Sequence, residues 1–227
     1  MPIVAAPAAP VNLTFKRNPD PAIAPMMILR STPASPFARK CFLAASVLGL
    51  TGELKLETAD PNDAADSLRA QNPLGKIPAL VIEDGSTLFD SRVIVEYFDH
   101  RAGGGKIIPS EPKARFAALR LQALADGMTD AQILIVYEAR FRPAEHHVKK
   151  WTDYQADKIK RALDALETNP PSLDSIPNVG QIALACFLGH RDLRFAGDWR
   201  AACPKLVAWL DRFAAKVPAF AETKVTP

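Results

Sequence analysis

The chain has 227 residues, 48% of them apolar and 23% charged, which is enough for one large domain or two small ones around a real core. Its 28 basic and 25 acidic residues leave a net charge of +3 with no block of like charge, which argues against a nucleic-acid or membrane surface. No stretch is long and apolar enough to span a bilayer. Residues 1–25 are rich in Ala and Pro and lack a basic region followed by an uninterrupted apolar run, so they are read as an extended arm and not as a signal peptide. A strand is predicted over 27–30. A helix follows over 36–50, with Phe37, Cys41, Ala44, Ala45 and Leu48 at helical spacing and Gly49 near its end. Leu54, Leu56 and Thr58 alternate with charged residues, which predicts a half-buried strand. A short helix is predicted over 64–70. The segment NPLGKIPALVIEDGSTLFDS then predicts a loop, a strand over 79–83, a turn at Asp84-Gly85 and a second short strand to Phe89, together a hairpin. A helix over 91–101 completes a β-α-β-α-β-β-α order.

Three glycines at 103–105, with Pro109 and Pro112, punctuate the chain and mark its best boundary. Everything beyond reads as helix. Leu121, Leu124, Ala125, Met128 and Ile135 form one stripe. Ala156, Ile159, Leu163 and Leu166 form a second, and Leu206, Leu210, Phe213 and Val217 a third. Residues 182–188 are apolar on all sides, which predicts a helix at the centre of a bundle. Cys41, Cys186 and Cys203 are widely spaced and contain no CxxC, so buried thiols in a reducing compartment are expected, without disulfides or zinc. His100, His146, His147 and His190 form no ligand motif, and no metal is expected.

Three segments carry residues suited to chemistry. In NPLGKIPAL, Gly75 permits a tight turn. A cis Ile77-Pro78 bond there would turn the Ile77 backbone outward as an edge for an extended peptide; an ordinary loop is the alternative. In LFDSRVI, Ser91 is a natural N-cap. The free N–H groups of that helix end suit a carboxylate, and Asp90 beside it suits an ammonium group. Together they match the α-amino-acid end of a ligand. In ILRSTPASPFARKCF, Ser35 followed by Pro36 is a normal helix start. A capping hydroxyl accepts from the helix and still has a proton to donate, and a thiolate at that helix end would be stabilised. At one sheet edge the three segments would suit a small thiol peptide.

The motifs SPFARK after the first strand, NPLGKIPAL, LFDSRVIVEYF and IIPSEPKARF, in this order, resemble the cytosolic glutathione transferases over residues 27–227. The nearest likeness is to bacterial members with Ser-Pro-Phe at this site. The resemblance implies an α/β thioredoxin-like N-terminal domain over 26–102, a linker over 103–111 and an all-α helical bundle C-terminal domain over 112–227, usually as a cytoplasmic homodimer. It implies glutathione as co-substrate, no metal, and a small electrophilic substrate between the domains, with neither nucleic acid nor membrane as partner. Ser35 would donate to the sulfur, with Ser31 and Thr32 as alternatives. Phe37, Lys76, Ile77, cis Pro78, Asp90 and Ser91 would complete the glutathione site. Phe37, Met128, Gln132 and Tyr137 would line the electrophile pocket. A non-catalytic binding protein on this fold, or a glutathione-dependent isomerase or dehalogenase, are the alternative functions.

Overall fold

The first apolar run forms strand β1 (Met27–Ser31) in the computed structural model, which describes residues 26–225. The expected arm over residues 1–25 lies outside the described residues. Next come helix α1 (Pro36–Val47), strand β2 (Leu54–Thr58), helix α2 (Leu68–Gln71), strands β3 (Ala79–Val81) and β4 (Thr87–Leu88), and helix α3 (Ser91–Arg101). The sheet order is β2-β1-β3-β4. β2 runs parallel to β1, while β3 runs antiparallel to both β1 and β4.

Several predicted bounds shorten for local reasons. α1 stops at Val47, and Gly49 turns the chain at φ +75, a conformation favoured by glycine. The helix expected over 64–70 is reduced to the single turn of α2. The Asp63 and Asp66 carboxylates accept from the backbone N–H groups of Ala65 and Leu68, at 2.8 and 2.7 Å, and hold this stretch in turns. In β2, Leu54 is buried but Leu56 is 50% exposed, because β2 is an edge strand. The β3–β4 hairpin closes at Asp84-Gly85, where Asp84 accepts from the Ser86 N–H at 2.8 Å.

The remaining elements are helices: α4 (Pro112–Phe141), α5 (Lys149–Thr168), α6 (Val179–Phe195), α7 (Pro204–Lys216) and α8 (Pro218–Glu222). α6 is the central one, as its all-apolar middle predicts, and every residue from Ile182 to Leu188 is buried. It opens with a capping box. Asn178 accepts from the Gln181 N–H, and Gln181 accepts from the Asn178 N–H. Gly180 lets α6 approach α4 closely, since a Cβ there would stand 2.5 Å from the Ala118 carbonyl oxygen. In α7, Leu206, Leu210 and Phe213 are buried as their spacing requires, and so is Val217 just past its end. In α5, Ile159, Leu163 and Leu166 are buried, while Ala156 is exposed and Gln155 is buried in its stead.

Of the stripe expected on α4, Ala125 and Met128 are buried and Leu121 and Ile135 pack half-buried against the core, while Leu124 is 38% exposed; the helix also buries Ala118, Gln122, Asp126, Thr129 and Gln132. The reason lies in what this face meets. Asp126 pairs with Lys40 of α1, and Gln132 pairs with His190 of α6. Polar partners across the interface let these polar side chains be buried beside the apolar stripe.

Candidate functional site

Sheet register brings the sequence-predicted segments to one edge. Arg30 of β1 is paired with Ala79 of β3, and Leu80 of β3 with Leu88 of β4. The end of β1, Pro78 at the start of β3, and Asp90 just past β4 therefore share that edge. The Ile77-Pro78 bond is cis, as anticipated. Ile77 is half-buried, Pro78 buried and Lys76 exposed. Asn72 closes the turn before Ile77, with Nδ2 donating to the Lys76 carbonyl at 2.8 Å.

Ser35 is the N-cap of α1, and its Oγ accepts from the Ala38 N–H at 3.2 Å. The Ser35 N–H donates to the Thr32 carbonyl at 3.1 Å, which folds the loop back on β1. At α3 the cap assignment is corrected: Asp90, not Ser91, is the N-cap. The extended backbone at Asp90 lets its carboxylate accept from the Arg92 N–H at 2.8 Å, and Ser91 is the first helical residue, buried. Asp90 keeps 63% of its side chain exposed, with its second oxygen 3.9 Å from Arg92 Nη1.

A cavity of about 580 Å³ opens where α1 starts, lined there by Pro33, Ser35, Pro36 and Arg39. Its far wall is α6, α7 and the chain around α8, including Cys186, Gly189, His190, Phe220 and Thr223. A smaller cavity of about 220 Å³ lies between α1 and β2. Ser31 and Thr32 line the smaller one and Ser35 the larger, and Pro33, Arg39 and Thr223 line both, so the two spaces adjoin. Burial pushes the Cys186 thiol up to about 12, so the cavity's own sulfur stays protonated. Cys41 and Cys203 are raised by the same cause.

The residues expected to line the electrophile pocket lie apart from these two cavities. Met128 is 3% exposed and Gln132 fully buried, inside the bundle, and neither lines either cavity. Gln132 reaches the larger cavity only through His190, whose Nδ1 stands 2.5 Å from Gln132 Nε2. Burial, then the Arg194 and Arg39 charges, pull the His190 pKa down to about 4. The ring is neutral near pH 7. Tyr137 is exposed and stacks edge-on with Phe141, 5.1 Å between centroids, away from both cavities. Phe37 is half-buried beneath the Lys40 ammonium, 5.6 Å from its ring centre, and lines neither cavity.

Four charged residues escaped sequence reasoning. Lys40 and Asp126 are buried and bonded to each other at 2.8 and 2.9 Å across the α1–α4 interface. Arg92 of α3 donates through Nε to the same carboxylate at 2.9 Å. Arg39 holds α8 against α1, donating to the Phe220 carbonyl and, at 3.1 Å, to Thr223 Oγ1. The available signal was charge at positions where helical spacing calls for an apolar side chain. Among the described residues no group of three or more His, Cys, Asp or Glu could hold a metal, and no helix is long and apolar enough to cross a membrane.

Comparison with known proteins agrees with this geometry. Residues 34–101 match the glutathione S-transferase N-terminal domain, and residues 122–212 match the C-terminal domain. The chain is 33% identical over 195 residues to the GST-like protein YibF of Escherichia coli K12, covering 84% of this chain and 94% of that one. A glutathione transferase family member from Pseudomonas fluorescens Pf-5, solved with bound glutathione, superposes with a TM-score of 0.82 at 39% identity, over 88% of this chain and 99% of that one. A second structure of a family member from that organism, with bound S-(propanoic acid)-glutathione, gives 0.79 at 37% identity over 88% and 100%. A glutathione S-transferase from Methylobacillus flagellatus, with glutathione bound, gives 0.80 at 33% over 88% and 99%. The four-stranded mixed sheet, the helical bundle and these matches together place the chain in the glutathione S-transferase family.

Proposed function

We propose that the chain is a glutathione transferase. It binds glutathione along the edge formed by Ser35, Ile77-Pro78 and Asp90-Ser91, and turns the thiolate on an electrophile held in the 580 Å³ cavity. One observation carries this: Ser35 belongs both to the ligand edge and to the cavity mouth. Its oxygen accepts from Ala38, and its proton remains free to donate to a sulfur. The positive end of α1 favours the thiolate over the thiol. The Ile77 backbone pairs with the cysteinyl unit, Asp90 takes the γ-glutamyl ammonium, the helix end at Ser91 its carboxylate, and exposed Lys76 the glycine carboxylate. Relatives solved with bound glutathione support glutathione as the ligand. The protonated Cys186 supports a ligand-supplied nucleophile. Phe37 borders the glutathione site through its place on α1.

The same proposal has residues 26–102 and 112–227 as two domains joined by 103–111, working as a cytoplasmic homodimer. Exposed Val93 and Phe116, on α3 and α4, support a second copy covering that face. The test is ultraviolet thiolate absorbance on adding glutathione near neutral pH, followed by turnover of a panel of small electrophiles. A thiolate band with conjugate formation is expected. Glutathione bound as the thiol, with no turnover, would favour a binding protein instead.

A further inference from the structure

Arg39 is unusual among the charged groups of the larger cavity. It is half-buried, and among the described residues no carboxylate lies within ion-pair distance of it. Nε and Nη2 are committed to Thr223 Oγ1 and the Phe220 carbonyl, and the guanidinium lies over the Phe220 ring at 4.2 Å. Nη1 has no acceptor among the described residues. It rests against Gly189, where an added Cβ would stand 2.6 Å away, so the absent side chain makes room for the cation on the cavity wall. Asp192 is near enough to favour the charge, but its oxygens are taken by Arg200 and the Trp199 indole. With Asp192 neutralised by Arg200 and His190 uncharged, Arg39 and Lys224 face only Asp211 across the lining. A guanidinium taken partly out of water without a counter-charge is costly unless a ligand supplies one.

We infer that the cavity takes electrophiles carrying a carboxylate, and that Arg39 is the residue that selects them. The inference rests on glutathione binding at the Ser35 edge. Ser35 and Arg39 stand four residues apart on α1, so their Cβ atoms are about 5–6 Å apart, and helical side chains lean toward the N-terminus. A carboxylate two or three bonds from the carbon joined to sulfur spans that gap. An α,β-unsaturated carboxylate fits: the thiolate forms a bond to the β-carbon, the double-bond pair moves to the α-carbon, and that carbon takes a proton from water. No group leaves, and nothing is oxidised or reduced.

The test is calorimetric binding of glutathione, S-propylglutathione and S-carboxyethylglutathione to the full chain, its Arg39→Met and Arg39→Lys variants, with melting curves to confirm folding. The native chain should bind the carboxylated conjugate about tenfold tighter than the propyl one, the range of a charge-assisted hydrogen bond. Arg39→Met should lose that preference while still binding glutathione, and Arg39→Lys should keep most of it. Equal affinity for both conjugates, or a preference that survives in Arg39→Met, would overturn the assignment and leave glutathione binding intact, with Arg39 only a tether for α8. Failure of the native chain to bind any of the three ligands would remove the glutathione site itself, and the Arg39 role with it.

Discussion

Replacing Asp126 by alanine is expected to be the most destabilising single change in the chain. Its carboxylate receives Lys40 through both oxygens and Arg92 through one, and Lys40 is 1% exposed. Without Asp126 the Lys40 ammonium is stranded in the interface, which typically costs about 3–5 kcal/mol. For a chain of this size that lowers the melting temperature by roughly 10 °C. Part of the loss is local to the ligand edge, because Lys40 and Arg92 sit on α1 and α3, the two helices that begin at Ser35 and Asp90. A double variant, Lys40→Met with Asp126→Leu, removes both charges together and should recover most of the stability, since apolar pairs replace buried ion pairs at little cost. Urea unfolding of the three proteins checks this. An alanine variant within about 0.5 kcal/mol of the native chain would mean that water or another group already solvates Lys40.

The second large effect is on rate. Ser35→Ala should lower conjugation by roughly 10- to 100-fold, the value of a hydrogen bond to a charged sulfur in the transition state. Glutathione affinity should change by less than about threefold, because the Ile77 backbone and the Asp90-Ser91 corner are untouched. The lost cap should cost stability by only about 1 kcal/mol. Steady-state kinetics with a binding isotherm separates these effects. An unchanged rate would make Ser35 a cap alone and move attention to Thr32 and Ser31, which line the smaller cavity.

The elements that were legible in the sequence are those whose signals are local. The Ser35-Pro36 start of α1 and the Asp84-Gly85 turn each depend on neighbours within a few residues. The all-apolar middle of α6 announced its own burial. What escaped depends on contacts across the fold. The buried polar residues of α4, Asp126 and Gln132, are matched by Lys40 and His190, 86 and 58 residues away, and no periodicity on α4 alone could report them. The residues expected at the electrophile pocket lie apart from the two cavities for the same reason. Met128 and Gln132 sit at plausible spacing on α4, yet the open space lies against α6, α7 and α8. Asp90 took the cap from Ser91 because an extended backbone at Asp90 aims its carboxylate two residues onward, a detail of dihedral angle and not of residue type.

A crystal structure of the chain soaked with glutathione tests the central claim most directly. The expected result places the sulfur within hydrogen-bond reach of Ser35 Oγ at the mouth of the larger cavity, the cysteinyl unit on the Ile77 backbone and the γ-glutamyl end at Asp90 and Ser91. Glutathione lying in the smaller cavity with its sulfur on Thr32 or Ser31, or seated away from the Pro78 edge altogether, would contradict it.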